Sequence, residues 1–287
     1  MKIGIIGIIG LGLIGGSIGL GLRKSNFGDK FIGTDSNKEN ALSAVKLGIV
    51  DEIIPLQDLI LQSSVIVLSI PVDGIEKILP SILNRISTDT VILDTGSTKY
   101  DICNRISSHP KRNRFVATHP IAGIENSGPI SADSNLFCKK KCIICDSKLS
   151  APDAISVAKK IYSMMKMRMI YMTSQEHDLY ISYISHLPHV ISFALASTVL
   201  KKFKNKEKIF HNLMGSGLDS TTRLAKSNSE TWLPIFISNR ENLIQSIDFY
   251  IDHLNKFRNH LIDKKFHKID QYMKKANDIK DKKICVN

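Results

Sequence analysis

The chain opens on an apolar run, Ile3–Ile9, and then alternates such runs with amphipathic stretches as far as Met172. Further β-branched runs stand at Lys30–Asp35, Val65–Ile70, Thr90–Asp94, Arg114–Thr118, Lys141–Asp146 and Arg168–Met172. Between them apolar residues recur at helical spacing, as in Asn37–Leu47 and Gly74–Arg85. Strands that are apolar throughout need cover on both faces, and strands separated by helices pair in parallel, so the pattern predicts an α/β unit with a mostly parallel, doubly wound sheet. Beyond Met172 the strand pattern stops. Thr173-Ser-Gln-Glu176 has the form of a capping box at the start of a long helix, and Pro188 within that helix is expected to kink it. Leu243, Ile247, Ile251, Leu254, Phe257 and Leu261 then recur three or four apart, which predicts one helix from near Pro234 toward Lys275. A helix longer than about 25 residues usually packs on a partner, here a second subunit. The division is thus 1–172, an α/β domain, and 173–287, an all-α domain, with a loose Lys- and Asp-rich tail from Lys274 to Asn287.

Composition narrows the classes. The 287 residues, 43% hydrophobic and 23% charged, suffice for a full core, and no run of about 18 uncharged apolar residues reads as a membrane span. The net charge is +12, but the lysines are dispersed, and the runs Lys139–Lys141 and Lys201-Lys202 lack interleaved aromatics. They read as a solvated surface that attracts small anions, with no nucleic-acid partner. Five cysteines, an odd number, argue for a reducing, cytoplasmic compartment. Cys138, Cys142 and Cys145 could suggest zinc, yet no Cys or His between Cys145 and His177 supplies a fourth ligand. In a strand Cys142 and Cys145 would face opposite sides, so no metal is expected. The apolar Met1–Gly21 has only Lys2 as a basic flank, lacks a small-residue cleavage site, and is interrupted by glycines, unlike a signal peptide.

Gly10-Leu-Gly12-Leu-Ile-Gly15 gives the first chemistry. GxGxxG alone is common, but here an apolar strand precedes it and an apolar helix follows. Gly10 allows a tight turn, Gly12 a close approach of pyrophosphate to the backbone, and Gly15 close helix–strand packing. The free N–H groups of the helix start would face the phosphates. Asp35 ends the second strand, where an acid binds ribose hydroxyls and repels a 2′-phosphate, so NAD is expected rather than NADP. The repeat Ile5-Ile-Gly7, Ile8-Ile-Gly10 resembles a three-residue insertion; only the Gly10 register yields GxG.

Five blocks carry a resemblance. Gly10–Ser17, Asp94-Thr-Gly-Ser-Thr-Lys99, His119-Pro-Ile-Ala-Gly123, Ser185-His-Leu-Pro-His189 and Thr222-Arg-Leu-Ala-Lys-Ser227, followed by Trp232, resemble the prephenate/arogenate dehydrogenases in content and order. Together they cover about Lys2 to Tyr250. The resemblance implies a Rossmann NAD-binding domain followed by an all-α dimerisation domain, and a homodimer acting on prephenate, or on its amino counterpart arogenate, in tyrosine biosynthesis. Many relatives carry an acid two residues before the Thr-Arg pair; here Ser220 stands there and Asp219 comes one earlier. The chain is expected to lack a regulatory ligand-binding domain and a fused chorismate mutase segment.

Such a reaction needs a base for the ring hydroxyl, a hydride acceptor, and a grip on two carboxylates. The resemblance places the base at His119, and the sequence agrees: His119 follows a strand, where ligands of open α/β sheets bind, and imidazole titrates near neutrality. Ser97 is implied to hydrogen-bond His119 or the substrate, or else to cap a helix over Lys99–Ile106. Arg223 is suited to a carboxylate because guanidinium binds one bidentately. His186 and His189, three apart on one helical face, and Glu125, which resembles the family's gating acid, are implied to contact substrate. The cofactor is implied to touch Gly10, Gly12, Leu13, Ile14, Gly15, Asp35, Ser69 and Pro71. His177 reads as part of an exposed first turn, and Trp232 serves equally as core, interface or ligand contact. A β-hydroxyacid dehydrogenase or imine reductase would leave the His119 and Arg223 blocks unexplained. A sensor that binds NAD without chemistry would leave the retention of Ser97, His119 and Arg223 unexplained.

Overall fold

The computed structural model describes residues 4–122, 126–204 and 212–281. Contacts divide the chain into two compact units, Met1–Asn239 and Arg240–Asn287.

The larger unit is built on one sheet of eight strands: β1 (Ile5–Ile9), β2 (Lys30–Thr34), β3 (Glu52–Ile53), β4 (Val65–Leu68), β5 (Val91–Asp94), β6 (Phe115–Ile121), β7 (Lys141–Cys145) and β8 (Arg168–Met172). Their order is β3-β2-β1-β4-β5-β6-β7-β8, so the first six follow the doubly wound dinucleotide-binding order. β1 to β6 are mutually parallel, while β7 runs antiparallel to β6 and β8 parallel to β7. The sheet is thus mostly parallel, as expected, and among the described residues no crossover α-helix lies between β6 and β7, which allows the reversal there. β3, only two residues and exposed, escapes a hydrophobic pattern altogether.

The helices α1 (Leu13–Lys24), α2 (Lys38–Lys46), α3 (Leu56–Gln62), α4 (Val72–Arg85), α5 (Tyr100–Arg105) and α6 (Pro152–Met164) sandwich this sheet. One core, around Ile8, Leu22, Phe137 and Tyr162, fills the α1/α6 side; the other, around Leu68, Leu79, Ile92 and Phe115, fills the α3/α4/α5 side. Cys142 belongs to the first and Cys145 to the second. Burial pushes both thiols well up, so neither is poised as a thiolate ligand. Among the described residues no cluster of three His, Cys, Asp or Glu could hold a metal.

The repeat at the start of the chain is absorbed by β1. Gly7 lies in mid-strand, where a Cβ would stand 2.3 Å from Ser63 Oγ and 2.6 Å from Leu59 Cδ2, so α3 packs directly against strand backbone. Gly10, at φ +92°, makes the turn.

After β8 the chain enters α7 (Ser174–Ile181), opened by the expected capping box of Thr173 and Glu176. A single π turn, Ser182–His186, connects it to α8 (Leu187–Lys202). Pro188 lacks the N–H that an α-helix needs, and the widened turn before it absorbs the defect. Ser174–Lys202 is, among the described residues, long and apolar enough to cross a membrane by length and composition, with most of its surface uncovered in the single chain. α9 (Ser216–Thr222), a short 3-10 turn (Arg223–Lys226) and α10 (Ser229–Ser238) follow, and Ile181 and Ile235 join the core on the α4 side of the sheet.

The smaller unit is a helical hairpin of α11 (Arg240–Ile262) and α12 (Phe266–Asp281). Tyr272 of α12 meets His253 at 3.1 Å and packs its ring on Phe257. The expected single helix is therefore interrupted twice, at Asn239 and at Lys264, whose φ is +51°. Apolar spacing alone did not reveal these breaks, because it continues across them. The tail is also helical as far as Asp281, beyond which residues fall outside those described.

Candidate active site

A cleft of about 340 Å³ opens at the carboxyl ends of β1, β4 and β5, where the strand order reverses and ligands bind in such sheets. Gly12, Ser69, Pro71, Ser97, Gly128 and Trp232 are among its lining. The three glycines of the turn differ in their surroundings. A Cβ on Gly15 would lie 2.0 Å from Gly10 O, and one on Gly10 2.2 Å from Ser69 O, so both positions are closed to side chains. A Cβ on Gly12 would meet nothing within 4 Å. Packing therefore does not account for this glycine, which leaves open space at the head of α1.

α1 offers the matching electrostatics. Gly12 caps it without a side-chain bond, and its first turn holds no acid, whereas α2, α3, α4 and α5 carry Glu39, Asp58, Asp73 and Asp101 there. Its positive end is left for an anion. Asp35 accepts from Leu11 N–H at 2.7 Å and from Asn37 N–H at 2.8 Å, which ties the glycine turn to the end of β2. Each carboxylate oxygen keeps lone-pair capacity for a hydroxyl. These residues fit a dinucleotide with free ribose hydroxyls.

His119 lies within β6, opposite Ile143 of β7. The strand continues to Ile121, so His119 is held by sheet pairing rather than following the strand as the sequence suggested. Its Nδ1 meets His177 Nε2 at 2.8 Å, and His177 Nδ1 meets Asp178 Oδ1 at 2.6 Å. His177 is fully buried, contrary to the exposed first turn expected of it; α7 turns this residue onto the sheet. Asp178 in turn accepts from the backbone N–H groups of Lys99 (2.8 Å) and Tyr100 (2.9 Å). The start of α5 is thus capped by a carboxylate from α7. Ser97, an expected cap, lies before α5 and lines the cleft instead.

Beneath His119 the ends of β5 and β6 are locked. Asp94 accepts from Thr118 N–H at 2.9 Å and from Gly96 N–H at 3.0 Å, and it pairs with the buried Lys99 ammonium. Thr118 Oγ1 bonds Tyr162 OH at 2.6 Å. Burial first, then the adjoining His177 ring and the Lys99 charge, hold the pKa of His119 well below 6.5. His119 is therefore neutral near neutral pH.

The helical side contributes a histidine–tryptophan stack. His189 lies flat on Trp232, ring centroids 3.4 Å apart, and donates from Nδ1 to Ser185 O at 2.8 Å. His186 meets the edge of Trp232, so the two histidines do share a side. His186, however, is fully buried: its Nδ1 faces Asn239 Nδ2 at 3.2 Å, and its Nε2 has no hydrogen-bond partner among the described residues. Arg223 is exposed at the start of the 3-10 turn, close enough for its charge to add to burial in depressing His189. Asp219 reaches Lys226 at 3.7 Å. Glu125 falls outside the described residues. Asp94, Lys99, His177 and Asp178 were not singled out from the sequence. The Asp-x-Gly-Ser-x-Lys spacing hinted at the first two; nothing in the sequence pairs His177 with His119.

A doubly wound sheet, a glycine turn shaped for pyrophosphate and a neutral histidine fixed on a neighbouring strand define an NAD-dependent oxidoreductase. Residues 18–171 match the prephenate dehydrogenase nucleotide-binding domain and residues 173–275 the prephenate dehydrogenase dimerization domain, so the chain belongs to the prephenate dehydrogenase family. The structure of prephenate dehydrogenase from A. aeolicus, solved with hydroxyphenyl propionate and NAD+, is 31% identical and superposes with a TM-score of 0.88 over 99% of both chains. Prephenate dehydrogenase of Bacillus subtilis is 28% identical over 96% of this chain and 74% of its own. The cyclohexadienyl dehydrogenase of Zymomonas mobilis is 29% identical over 88% and 87%.

Proposed function

We propose that the protein oxidises prephenate with NAD, giving 4-hydroxyphenylpyruvate, CO2 and NADH, on the route to tyrosine. The observation that carries this reading is a neutral histidine, anchored through Nδ1, in a family member whose glycine turn is open only at Gly12. Bound at that turn, NAD supplies the hydride acceptor. Gly10, Gly12, Leu13, Ile14 and Gly15 hold the pyrophosphate, Asp35 the adenosine ribose, and Ser69 and Pro71 border the cleft. His119 takes the proton from the hydroxyl oxygen as the hydride leaves the carbon that bears it, and Ser97 orients that hydroxyl. The resulting dienone loses CO2, its bond electrons complete the aromatic ring as a phenolate, and the phenolate oxygen takes up the proton that His119 had accepted. Arg223 grips a substrate carboxylate, with His189 on the Trp232 platform, and the family resemblance assigns Glu125, outside the described residues, to substrate contact as well. His186, fully enclosed, serves this surface from beneath by holding Trp232.

The relation to a cyclohexadienyl dehydrogenase keeps arogenate as the alternative substrate. We place the Rossmann domain at 1–172 and the substrate and dimerisation domain at 173–287, in a cytoplasmic homodimer. The exposed apolar residues Ile184, Leu200, Phe249, Ile251 and Leu254 support the homodimer. NADH formation with prephenate and with arogenate, measured side by side, tests the reading; no NADH with either contradicts it.

A further inference from the structure

We propose that His177, backed by Asp178, fixes His119 in the one tautomer that can act as a base. The proposal rests on the reading of His119 given above and adds two positioning residues to it.

Donors and acceptors form a chain from the start of α5 to His119. Backbone N–H groups can only donate, and those of Lys99 and Tyr100 point at the two oxygens of Asp178. Asp178 is therefore held as an acceptor on both oxygens. Burial raises its pKa, and these two N–H groups and the nearby Lys99 charge oppose that rise. An accepting carboxylate 2.6 Å from His177 Nδ1 requires the proton on that nitrogen. Burial holds the pKa of His177 down at about 3, so the ring is neutral and carries no second proton. Its Nε2 is then a lone pair, and the 2.8 Å contact to His119 requires the proton on His119 Nδ1. Neutral His119 is left with a lone pair on Nε2. The opposite polarity needs a protonated Asp178 and would end on an Nε2–H, which cannot take a proton.

The same contacts serve the charged state. When Nε2 accepts the hydroxyl proton, the new imidazolium still donates Nδ1–H to His177, and the Asp178 carboxylate stands at the far end of the chain. No other atom of the His119–His177–Asp178 chain has to move in this step. Because Asp178 also caps α5, it holds the loop of Ser97 in the same frame as His119. A histidine needs an orienting partner to present the right nitrogen, and loss of such a partner in a known protease costs about 10⁴-fold in kcat.

The decisive test reads the tautomer directly. In the unaltered protein labelled with 15N-histidine, the signals of His119, assigned by their loss in His119→Asn, should show a protonated Nδ1 and a lone-pair Nε2 near neutral pH. A protonated Nε2 overturns the proposal. This measurement needs no substrate, so its result stands apart from whether prephenate is turned over. Kinetics give the second arm. His177→Leu removes the acceptor and should lower kcat about 10²-fold or more, with little change in KM for prephenate or Kd for NAD. His177→Gln places an amide oxygen in reach of Nδ1 and should recover most of that loss. Near-normal turnover in His177→Leu overturns the proposal, as does a His177→Gln variant that falls equally far. If His177→Leu cannot bind NAD because it does not fold, the tautomer measurement decides.

Discussion

His119 and Arg223 are assigned to different stages of one reaction, so their variants should fail differently. His119 acts on the proton only as the bond breaks; His119→Asn should lower kcat by about 10²–10⁴-fold with KM changed much less. Arg223 grips substrate before chemistry; Arg223→Ala should raise KM for prephenate by roughly 10- to 150-fold, from a contact of about 1.5–3 kcal/mol. NAD affinity should hold in both, and steady-state kinetics with NAD titrations check this. A His119→Asn variant with normal turnover would show the base to be misassigned. His119 and Arg223 were legible because each sits in a sequence block dense in rare residue types. His177 was not: its partner lies 58 positions away in the chain, and its helix has almost no amphipathic pattern to show which side is buried.

At the scale of elements, the glycine turn separates binding from folding. Gly12→Ala meets no neighbour, so its Tm should be unchanged or slightly raised, since Gly-to-Ala changes at permissive positions add about 0.4–1 kcal/mol. Its NAD affinity should fall at least about tenfold, because the added methyl occupies the approach reserved for pyrophosphate. Gly15→Ala, with a Cβ 2.0 Å from Gly10 O, should lose stability and NAD binding together. Thermal melts with NAD titrations separate the two; equal loss of stability in both variants would place Gly12 in the packing. Asp35 belongs to the same turn, and a small neutral residue there should narrow a preference for NAD over NADP of at least about tenfold. The turn and most strands could be read in advance because their patterns are continuous and local. Two-residue β3, the antiparallel β7 and the interruption at Lys264 could not, since pairing direction and a single left-handed residue leave no periodic trace.

For the whole molecule, burial of His119, His177 and His186 links stability to pH. His177 and His186 are depressed by burial to about 3 and about 4, and His119 well below 6.5. The unfolded chain therefore binds more protons than the folded one below pH 6.5, and stability rises with pH in that window. It should be fully present above about pH 6.5 and fall as pH drops toward 4, by up to about 1.4 kcal/mol per pH unit for each histidine. Denaturant midpoints across pH 4–8 check this; a flat profile would contradict the burial of these rings. Assembly is the second expectation at this scale: sedimentation at micromolar concentration should give a dimer, and a monomer would leave the exposed apolar helices unexplained.

The central claim is that His119 and the glycine turn together oxidise a cyclohexadienol carboxylate. The direct measurement mixes the purified protein with NAD and prephenate, follows the reduced-nicotinamide absorbance band, and assays CO2 and 4-hydroxyphenylpyruvate in the same sample. The account predicts NADH, CO2 and 4-hydroxyphenylpyruvate in equal amounts, with the rate lost in His119→Asn. NADH without CO2, or an unchanged rate in His119→Asn, would contradict it.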